Sequence, residues 1–325
     1  MTLDQLRYAL ELQRAGNFSR AAEACHITQP SLSVQVAKLE EELGVTLFHR
    51  TRSGVEVTEY GEAMLRQARL VLDESNRLQE LAAELKGEVQ GQFRLGVIPT
   101  LAPSLLPLFL SFFGEKYPKV QLSVSEEPTE SLVQKIDEGS LDGAILSTPP
   151  KCPESLIEKV LFYEPFYVFA SSGHPILKSK KVQPSQISAG EILLLDDTHC
   201  MRDQVLQLCK LGRGTSDGTN RKLRIQSGSL LTLIEVIRRD PGYTLLPALS
   251  THFLTANERA HNVRHFDKPS PTRKVSLVFH RARLKRSIVE ALKESVLQRL
   301  PNDVFPPQSG RSIKVLAPGA DHFEL

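Results

Sequence analysis

Two cysteines, Cys200 and Cys209, stand nine positions apart in the segment DDTHCMRDQVLQLC, which spans residues 196–209. Three kinds of chemistry fit them: thiols that fill an apolar core, ligands of a metal ion, and a pair that react with each other. Zinc binding through His199 and the two cysteines is the weakest of these, because there is no CxxC motif and no fourth ligand at the usual spacing. The residues alone leave the other two open.

Cys200 is predicted to lie in the first turn of a helix that follows a strand, with Asp197 or Thr198 as the N-cap. The partial positive charge of a helix N-terminus favours an anion, so we expect a lowered thiol pKa at this position. A thiolate attacks the O–O bond of a peroxide and becomes a sulfenic acid, which a second thiol converts to a disulfide.

Cys209 is the second thiol in this reading, but it is too far along the helix for direct closure. Nine helical residues separate the two Cα atoms by about 13 Å along the axis. A disulfide requires a Cα separation of about 4.4–6.8 Å. Oxidation would therefore have to rebuild the segment. The alternative is that Cys209, among Leu206, Leu208 and Leu211, is an apolar filler.

Composition predicts a cytoplasmic protein of two or three domains without a membrane partner. The chain has 325 residues, of which 41% are hydrophobic and 24% charged. The first 16 residues mix charges into their apolar positions, unlike a signal peptide, and no stretch reaches the roughly 20 apolar residues that span a bilayer. Four cysteines exclude a disulfide framework. The net charge of +2 is too small to indicate a nucleic-acid partner by itself.

The N-terminal region has the helical spacing of a helix-turn-helix. Leucines at steps of three and four predict a first helix over residues 3–15, and Ser19 is a candidate N-cap for a second. Thr28 is predicted to cap a third helix that Gly44 ends. A hairpin follows around residues 53–54. The residues expected to face DNA are Gln29, Pro30, Ser31, Ser33, Gln35 and Lys38 on the third helix, with Arg50 and Arg52 on the hairpin.

A plain helical bundle would give the same periodicity, so the order of residues decides. The run AAEACHITQPSLSVQVAKLEEELGVTLFHRT resembles the N-terminal signature of LysR-type transcriptional regulators. This resemblance implies binding to double-stranded promoter DNA by a winged helix-turn-helix domain over residues 1–58.

Residues 59–90 are predicted to form a linker helix and hinge. Leu65, Leu72, Leu78 and Leu85 recur near the spacing of a coiled-coil seam, which favours a dimer. The alternative is that this stripe packs on its own domain. The LysR resemblance also implies a homo-oligomer.

Residues 91–301 alternate strands and helices, which predicts an α/β domain with a parallel sheet. Strands are expected at FRLGVIPT, VQLSVSEEPT, LDGAILS, EPFYVFASS, EILLLDD, YTLLPAL and RKVSLVFH. The return of the last strand to the first sheet resembles the two-lobed, periplasmic-binding-protein-like effector domain of LysR regulators. Residues 302–325 are rich in proline and glycine and are predicted to be largely disordered.

Four segments resemble the peroxide-sensing OxyR branch of LysR regulators: DDTHCMRDQVLQLC, YTLLPAL, GVIPTLAPSLLP and PTESLVQKIDEGSLD. The resemblance implies that Cys200 is the peroxidatic cysteine and Cys209 the resolving one. It also implies a peroxide pocket of Thr100, Thr129, His199, Asp203 and Arg273. KLGRGTSDGTNRK and VIRRDPGYT depart from the branch and put subunit contacts and the oxidised form in doubt.

The hypothesis is therefore a hydrogen-peroxide-sensing activator of antioxidant genes that assembles as a dimer of dimers. A reversible disulfide would change oligomer packing and DNA binding, and an outside thiol reductant would reset it. RNA polymerase is a further candidate partner. Neither a cofactor nor a metal is expected, and oxidant is consumed stoichiometrically, without enzyme turnover. One alternative is a LysR regulator gated by a small organic co-inducer with non-redox cysteines; another is a thiol peroxidase.

Overall fold

The computed structural model describes residues 1–51, 54–147, 153–187, 192–196, 200–208, 228–307 and 314–315. The chain divides into two compact units, Met1–Gly91 and Gln92–Leu325. None of the helices in the described ranges is long and apolar enough to cross a bilayer.

The first unit is mostly helical and contains one hairpin. Its elements are helices α1 (Leu3–Ala15), α2 (Phe18–Ala24) and α3 (Gln29–Leu43), strands β1 (Phe48–Thr51) and β2 (Gly54–Val57), and helix α4 (Glu59–Glu84). The two strands pair antiparallel. The first three helices and the start of α4 bury a common core, which contains Leu6, Leu12, Leu32, Val36, Leu39 and Leu65.

Local capping sets the ends of the helices in this unit. The Thr28 hydroxyl accepts from the backbone N–H of Ser31 at the start of α3, as predicted. Gly44 ends that helix at φ 67°, a left-handed conformation that favours glycine. The prediction of Ser19 as the cap of α2 is wrong. Asn17 caps that helix, and its side-chain oxygen accepts from the backbone N–H of Ser19 itself.

The second unit holds the remaining named elements of the described chain. Its helices are α5 (Ala102–Lys116), α6 (Thr129–Asp137), α7 (Cys200–Leu208), α8 (Leu230–Arg239), α9 (Ala256–His261) and α10 (Arg286–Arg299). Its strands are β3 (Gly91–Val97), β4 (Val120–Glu126), β5 (Gly143–Ser147), β6 (Leu156–Ala170), β7 (Lys181–Val182), β8 (Tyr243–Pro247), β9 (Val263–Phe266), β10 (Pro271–His280) and β11 (Lys314–Val315).

One long strand and one returning strand connect two lobes. The order along the sheet is β4-β3-β5-β10-β6-β9-β7, with β8 beside β6 and β11 beside β10. Strand β6 pairs with β10 over its first part and with β8 and β9 over its second. Strand β10 is antiparallel to both β5 and β6, whereas β3 and β5 are parallel, so the predicted parallel sheet is in fact mixed. The alternation of strands and helices in the sequence does not fix the direction of a strand that returns late in the chain.

Two further expectations differ from the structure. Within the described part of EILLLDD there is no strand. Instead Ile192 forms a single bridge to Tyr243, and Leu193–Asp196 are irregular. The tail is also ordered just after residue 301. Val304 is buried, and Phe305 pairs with Tyr163, because this stretch finds an open strand edge that its composition does not reveal.

Candidate functional site

Cys200 begins helix α7, and its sulfur lies against the end of strand β5. The thiol donates to the carbonyl oxygen of Ser147, with 3.6 Å between sulfur and oxygen. Gln204, one turn further along the helix, donates through Nε2 to the Ser147 hydroxyl at 3.3 Å. The segment before α7 is bonded to β8, since the Leu193 N–H donates to the Tyr243 carbonyl. Cys200 therefore lies where the two lobes of the second unit meet.

A fully buried arginine lies at the same junction. Arg273 donates through Nη1 to the Thr100 hydroxyl at 3.0 Å and through Nη2 to the Thr100 carbonyl at 3.2 Å. Its Nε donates to Oε2 of Glu164 at 2.8 Å, and neither side chain of this ion pair is exposed. The other Glu164 oxygen accepts from the backbone N–H of Leu249 at 2.7 Å. The network joins both crossover strands, β6 and β10, to the loop after β3.

The additional hydrogen bonds help to offset the cost of burying this ion pair. Removing two charges from water is expensive, and their attraction offsets this only when the remaining donors and acceptors are satisfied. Burial raises the pKa of the Glu164 carboxyl, while the Arg273 guanidinium and the Leu249 N–H act in the opposite direction. The charge of each residue in the pair is therefore stabilised by the other.

Burial is the main influence on the pKa of the Cys200 thiol. Although the residue as a whole is only half-buried, burial around the sulfur raises the thiol pKa above its ordinary value. The Thr129 hydroxyl and the Arg273 guanidinium lower this pKa, whereas the carboxylates of Glu130 and Asp203 raise it. The expectation of a lowered pKa from the helix N-terminus is wrong, because burial outweighs the favourable groups.

The structure brings several of the predicted pocket residues together. Thr129 hydrogen bonds to Cys200, and Thr100 is held by Arg273, with both threonines buried. Asp203 lies on α7, half-buried, within electrostatic reach of the sulfur. His199 and Cys209 lie outside the described residues, as do the proposed caps. Among the residues that the structure describes, no group of three or more could hold a metal ion.

Sequence reasoning missed three residues of this site: Glu164, Ser147 and Gln204. A usable signal exists only for the first, which is the single charge inside the apolar run LFYEPFYVF. A charge in a buried strand needs a partner, so this carboxylate calls for a buried cation. Nothing in the local sequence distinguishes Ser147 or Gln204.

The predicted DNA-facing side of α3 is accessible. Pro30, Ser31 and Lys38 are exposed, and Gln29 and Ser33 are partly exposed. Gln35 is half-buried, and its side-chain oxygen accepts from Gln5 of α1 at 3.2 Å. Gln35 is therefore also a contact between helices within the unit.

The hairpin arginine is fixed beside this helix. Arg50 donates through Nη2 to the Ser33 hydroxyl at 2.7 Å, and its guanidinium carbon lies 4.6 Å from the centre of the Phe18 ring. Arg52 is outside the described residues. Sequence reasoning missed Val34, whose side chain is 51% exposed on α3. It lies off the apolar stripe of that helix, which is the signal that could have found it.

The leucine stripe of α4 has two parts with different environments. Leu65 is 1% exposed and Ala68 is 8% exposed, because both pack into the core of their own unit. Leu78 is 73% exposed and Leu81 is 51% exposed, and Leu85, just beyond the helix, is 83% exposed. The first part therefore packs within its own domain, as the alternative prediction stated. The leucines of the second part are exposed to solvent.

A small cavity adjoins the Thr100 side of the buried network. It has a volume of about 70 Å³ and is lined in part by Thr100, Ser104, Glu126, Ser229 and Ser250. The Ser250 hydroxyl is buried and has no hydrogen-bond partner within the described part of the chain. Sites for drug-sized ligands are typically about 300–1,000 Å³. This cavity suits a molecule much smaller than that.

A winged helix-turn-helix unit linked to a two-lobed α/β unit with a buried thiol defines a transcriptional regulator with a sensing domain. Residues 3–62 match the bacterial regulatory helix-turn-helix proteins of the LysR family, and residues 86–301 match the LysR substrate binding domain. The chain is 34% identical to the hydrogen peroxide-inducible genes activator of Dickeya chrysanthemi, over 92% of this chain and 96% of that protein. It is equally similar to the DNA-binding transcriptional dual regulator OxyR of Escherichia coli K12, with the same coverage of both chains.

Solved structures of OxyR proteins are also similar to this chain. A full-length OxyR variant from Pseudomonas aeruginosa is 32% identical and has a TM-score of 0.74, covering 92% of this chain and 99% of that one. An OxyR mutant from Corynebacterium glutamicum with bound H2O2 is 30% identical, with a TM-score of 0.60 and 92% coverage of both chains. The chain therefore belongs to the LysR family of bacterial transcriptional regulators, in the branch of the hydrogen peroxide-inducible genes activators.

Proposed function

We propose that this protein senses hydrogen peroxide through Cys200 and converts its oxidation into altered binding at promoter DNA. The observation that carries this is the position of the Cys200 sulfur at the lobe junction, 3.6 Å from the carbonyl oxygen of Ser147, where Thr129 and Arg273 favour its thiolate. The named activity of the relatives supports the same reading.

The chemistry proceeds in two balanced steps. In the first, the Cys200 sulfur attacks one peroxide oxygen, the O–O bond breaks, and the other oxygen leaves as water after taking up the thiol proton. In the second, the Cys209 thiol attacks the sulfenic sulfur, an S–S bond forms, and a second water leaves. An outside thiol reductant returns both sulfurs to thiols, so one chain consumes one peroxide per cycle.

The pocket residues have distinct roles in the first step. Burial raises the pKa of the Cys200 thiol and so disfavours the thiolate that attacks peroxide. Thr129 and Arg273 are the groups that favour the thiolate, and Thr100 is oriented by Arg273 as a hydroxyl donor to the leaving oxygen. We assign His199 and Asp203 to the path by which the proton reaches that oxygen.

Disulfide formation requires α7 to unwind. The helix runs unbroken from Cys200 to Leu208, so its end lies about 12 Å along the axis from its start. This is longer than the Cα separation of about 4.4–6.8 Å that a disulfide tolerates. The same helix holds Gln204 against Ser147, so its unwinding releases a contact between the two lobes.

Oxidation of Cys200 is proposed to change both DNA binding and the contacts between subunits. Exposed residues of α3, with Arg50 of the hairpin, form the proposed DNA surface, to which we also assign Arg52 from the sequence. We assign the exposed Val34 to contact with a thymine methyl. The open leucines at 78, 81 and 85 support a homodimer through α4, and two such dimers would form the tetramer. RNA polymerase is a proposed partner of the activating form.

The test compares the wild-type chain with Cys200→Ser and Cys209→Ser under stoichiometric peroxide. Disulfide mapping by mass spectrometry is expected to show a Cys200–Cys209 bond only in the wild type, with a DNA footprint that changes on oxidation. In Cys209→Ser, oxidation stops at a sulfenic acid. A normal response in Cys200→Ser would contradict the assignment. Rapid turnover of excess peroxide with a thiol reductant would indicate a peroxidase instead.

A small organic co-inducer is the second candidate, because the cavity beside Thr100 presents Ser104, Glu126 and Ser250. Its size of about 70 Å³ favours a molecule of only a few heavy atoms. Footprint changes that need a metabolite and persist in Cys200→Ser would establish this candidate.

A further inference from the structure

The chain beyond the matched family domain contacts the middle of the second unit. The family match ends at residue 301. Val304 is 4% exposed, and Phe305 exchanges two backbone hydrogen bonds with Tyr163 of β6, with N–O distances of 2.8 Å and 2.7 Å. Strand β10 occupies one edge of β6 at this point, so Phe305 lies on the other edge. It thereby satisfies peptide groups that would otherwise be open.

A second contact reaches the other crossover strand. Strand β11 pairs in parallel with Pro271 and Thr272 at the start of β10. Residues 308–313, between the two contacts, lie outside the described chain. Tyr163 directly precedes Glu164, and Thr272 directly precedes Arg273, and these two charged residues face each other in the register. The tail thus holds both strands next to the buried ion pair.

We propose that Phe305 is a positioning residue for the reaction of Cys200, acting through Glu164 and Arg273. Its backbone pairing with Tyr163 fixes the crossover strand that carries Glu164, and Glu164 in turn orients Arg273 towards Thr100. The inference rests on the proposed function of Cys200.

Phe305→Pro removes the N–H that bonds to Tyr163, which loosens β6 and weakens the support that Arg273 gives to the thiolate. The pKa of the Cys200 thiol is then expected to rise, and peroxide oxidation is expected to slow.

The experiment uses the full-length chain. The pH dependence of Cys200 alkylation by iodoacetamide and the rate of Cys200 oxidation by hydrogen peroxide are followed by mass spectrometry of the Cys200 peptide. In Phe305→Pro both rates are expected to fall by about two- to tenfold at pH 7. Asn302→Ala, at an exposed neighbour, and Asp267→Asn, which removes a charge 45% exposed on another loop, serve as controls with the parent profile.

A contribution to stability alone would lower the unfolding midpoint without shifting the pH profile. The proposal is therefore overturned if folded Phe305→Pro has the parent's alkylation profile. Should Phe305→Pro not fold, Val304→Ala, which removes the buried side chain next to the same contact, takes its place, and a parent-like profile there also overturns the proposal. A parent chain in which Cys200 is alkylated but inert to peroxide contradicts the proposed function instead, and the alkylation profiles still decide the role of the tail.

Discussion

The proposed DNA-binding surface and the Cys200 site contain arginines in opposite environments. Arg50 is exposed beside α3, and within the described part of the chain its guanidinium donates to Ser33. Arg273 has no exposed side-chain surface and is held by Glu164 and by two oxygens of Thr100. The first guanidinium is open to solvent on the side assigned to DNA, whereas the second is enclosed within the protein.

This difference shows how each region tolerates change. An exposed charge is solvated with or without its partner, so losing the partner costs little. A buried charge without its partner retains the whole desolvation penalty. The DNA surface can therefore be altered one residue at a time. At the sensing site one substitution disturbs the fold, the position of Thr100 and the pKa of Cys200 together.

The largest expected effect comes from leaving Arg273 unpaired. Glu164→Gln keeps the side-chain size but removes the charge, and we expect a loss of about 3–5 kcal/mol in the free energy of unfolding of the second unit. Denaturant unfolding followed by circular dichroism measures it. Asp4→Asn, which breaks the exposed ion pair with Arg7, is the control and should leave the midpoint unchanged. Equal effects in the two variants would remove the distinction between the regions.

The two parts of the α4 stripe provide a second contrast, between a core and an open surface. Leu65→Ala should lower the free energy of unfolding of the first unit by about 2–5 kcal/mol, because the side chain is buried. Leu78→Ala should leave that value unchanged and weaken self-association, measured by sedimentation velocity. Unchanged association of Leu78→Ala together with Leu81→Ala would argue against a dimer through this helix.

Thr129→Val tests the electrostatic description of the thiol. It removes a hydrogen bond that favours the thiolate, so the already raised pKa of Cys200 should rise further. A raised pKa means less thiolate at neutral pH, and the alkylation rate should climb only at higher pH than in the parent. Ser131→Ala, on the same helix but bonded to Glu127, is the matched control. An unshifted profile in Thr129→Val would show that the hydroxyl does not act on the sulfur.

The smallest effects are expected at the DNA surface. Lys38→Ala and Arg50→Ala should each weaken binding to all sequences alike and reduce the salt dependence of log Kd by about one unit, as loss of one phosphate contact predicts. Val34→Ala should weaken binding only to the specific operator. Fluorescence anisotropy at several salt concentrations separates the two classes. A sequence-independent loss in Val34→Ala would rule out its contact with a base.

The sequence predicts the first unit far better than the site in the second. Helix α3 is set by its cap Thr28, by Gly44 at its end and by the leucine spacing between them. These signals are local, so the sequence predicts the helix directly. Glu164 and Arg273 lie 109 residues apart, and Cys200 and Ser147 lie 53 apart. Their contacts depend on the order of strands in the sheet, which local spacing does not determine.

Burial is the second reason for the difference. The helix N-terminus at Cys200 predicts a lowered thiol pKa, but the pKa is raised, because the surroundings of the sulfur come from distant strands. The ordered start of the tail was missed for the same reason. A short proline-rich stretch becomes ordered when it meets an open strand edge, and that edge is a property of the folded sheet.

The most direct test of the central claim measures the bond and the DNA together. Full-length reduced protein on its operator receives one equivalent of hydrogen peroxide, and samples are divided between disulfide mapping and footprinting. We predict that the Cys200–Cys209 disulfide and the altered footprint appear at the same rate and that a thiol reductant reverses both. A footprint that is unchanged while the disulfide forms, or one that changes without it, would contradict the account.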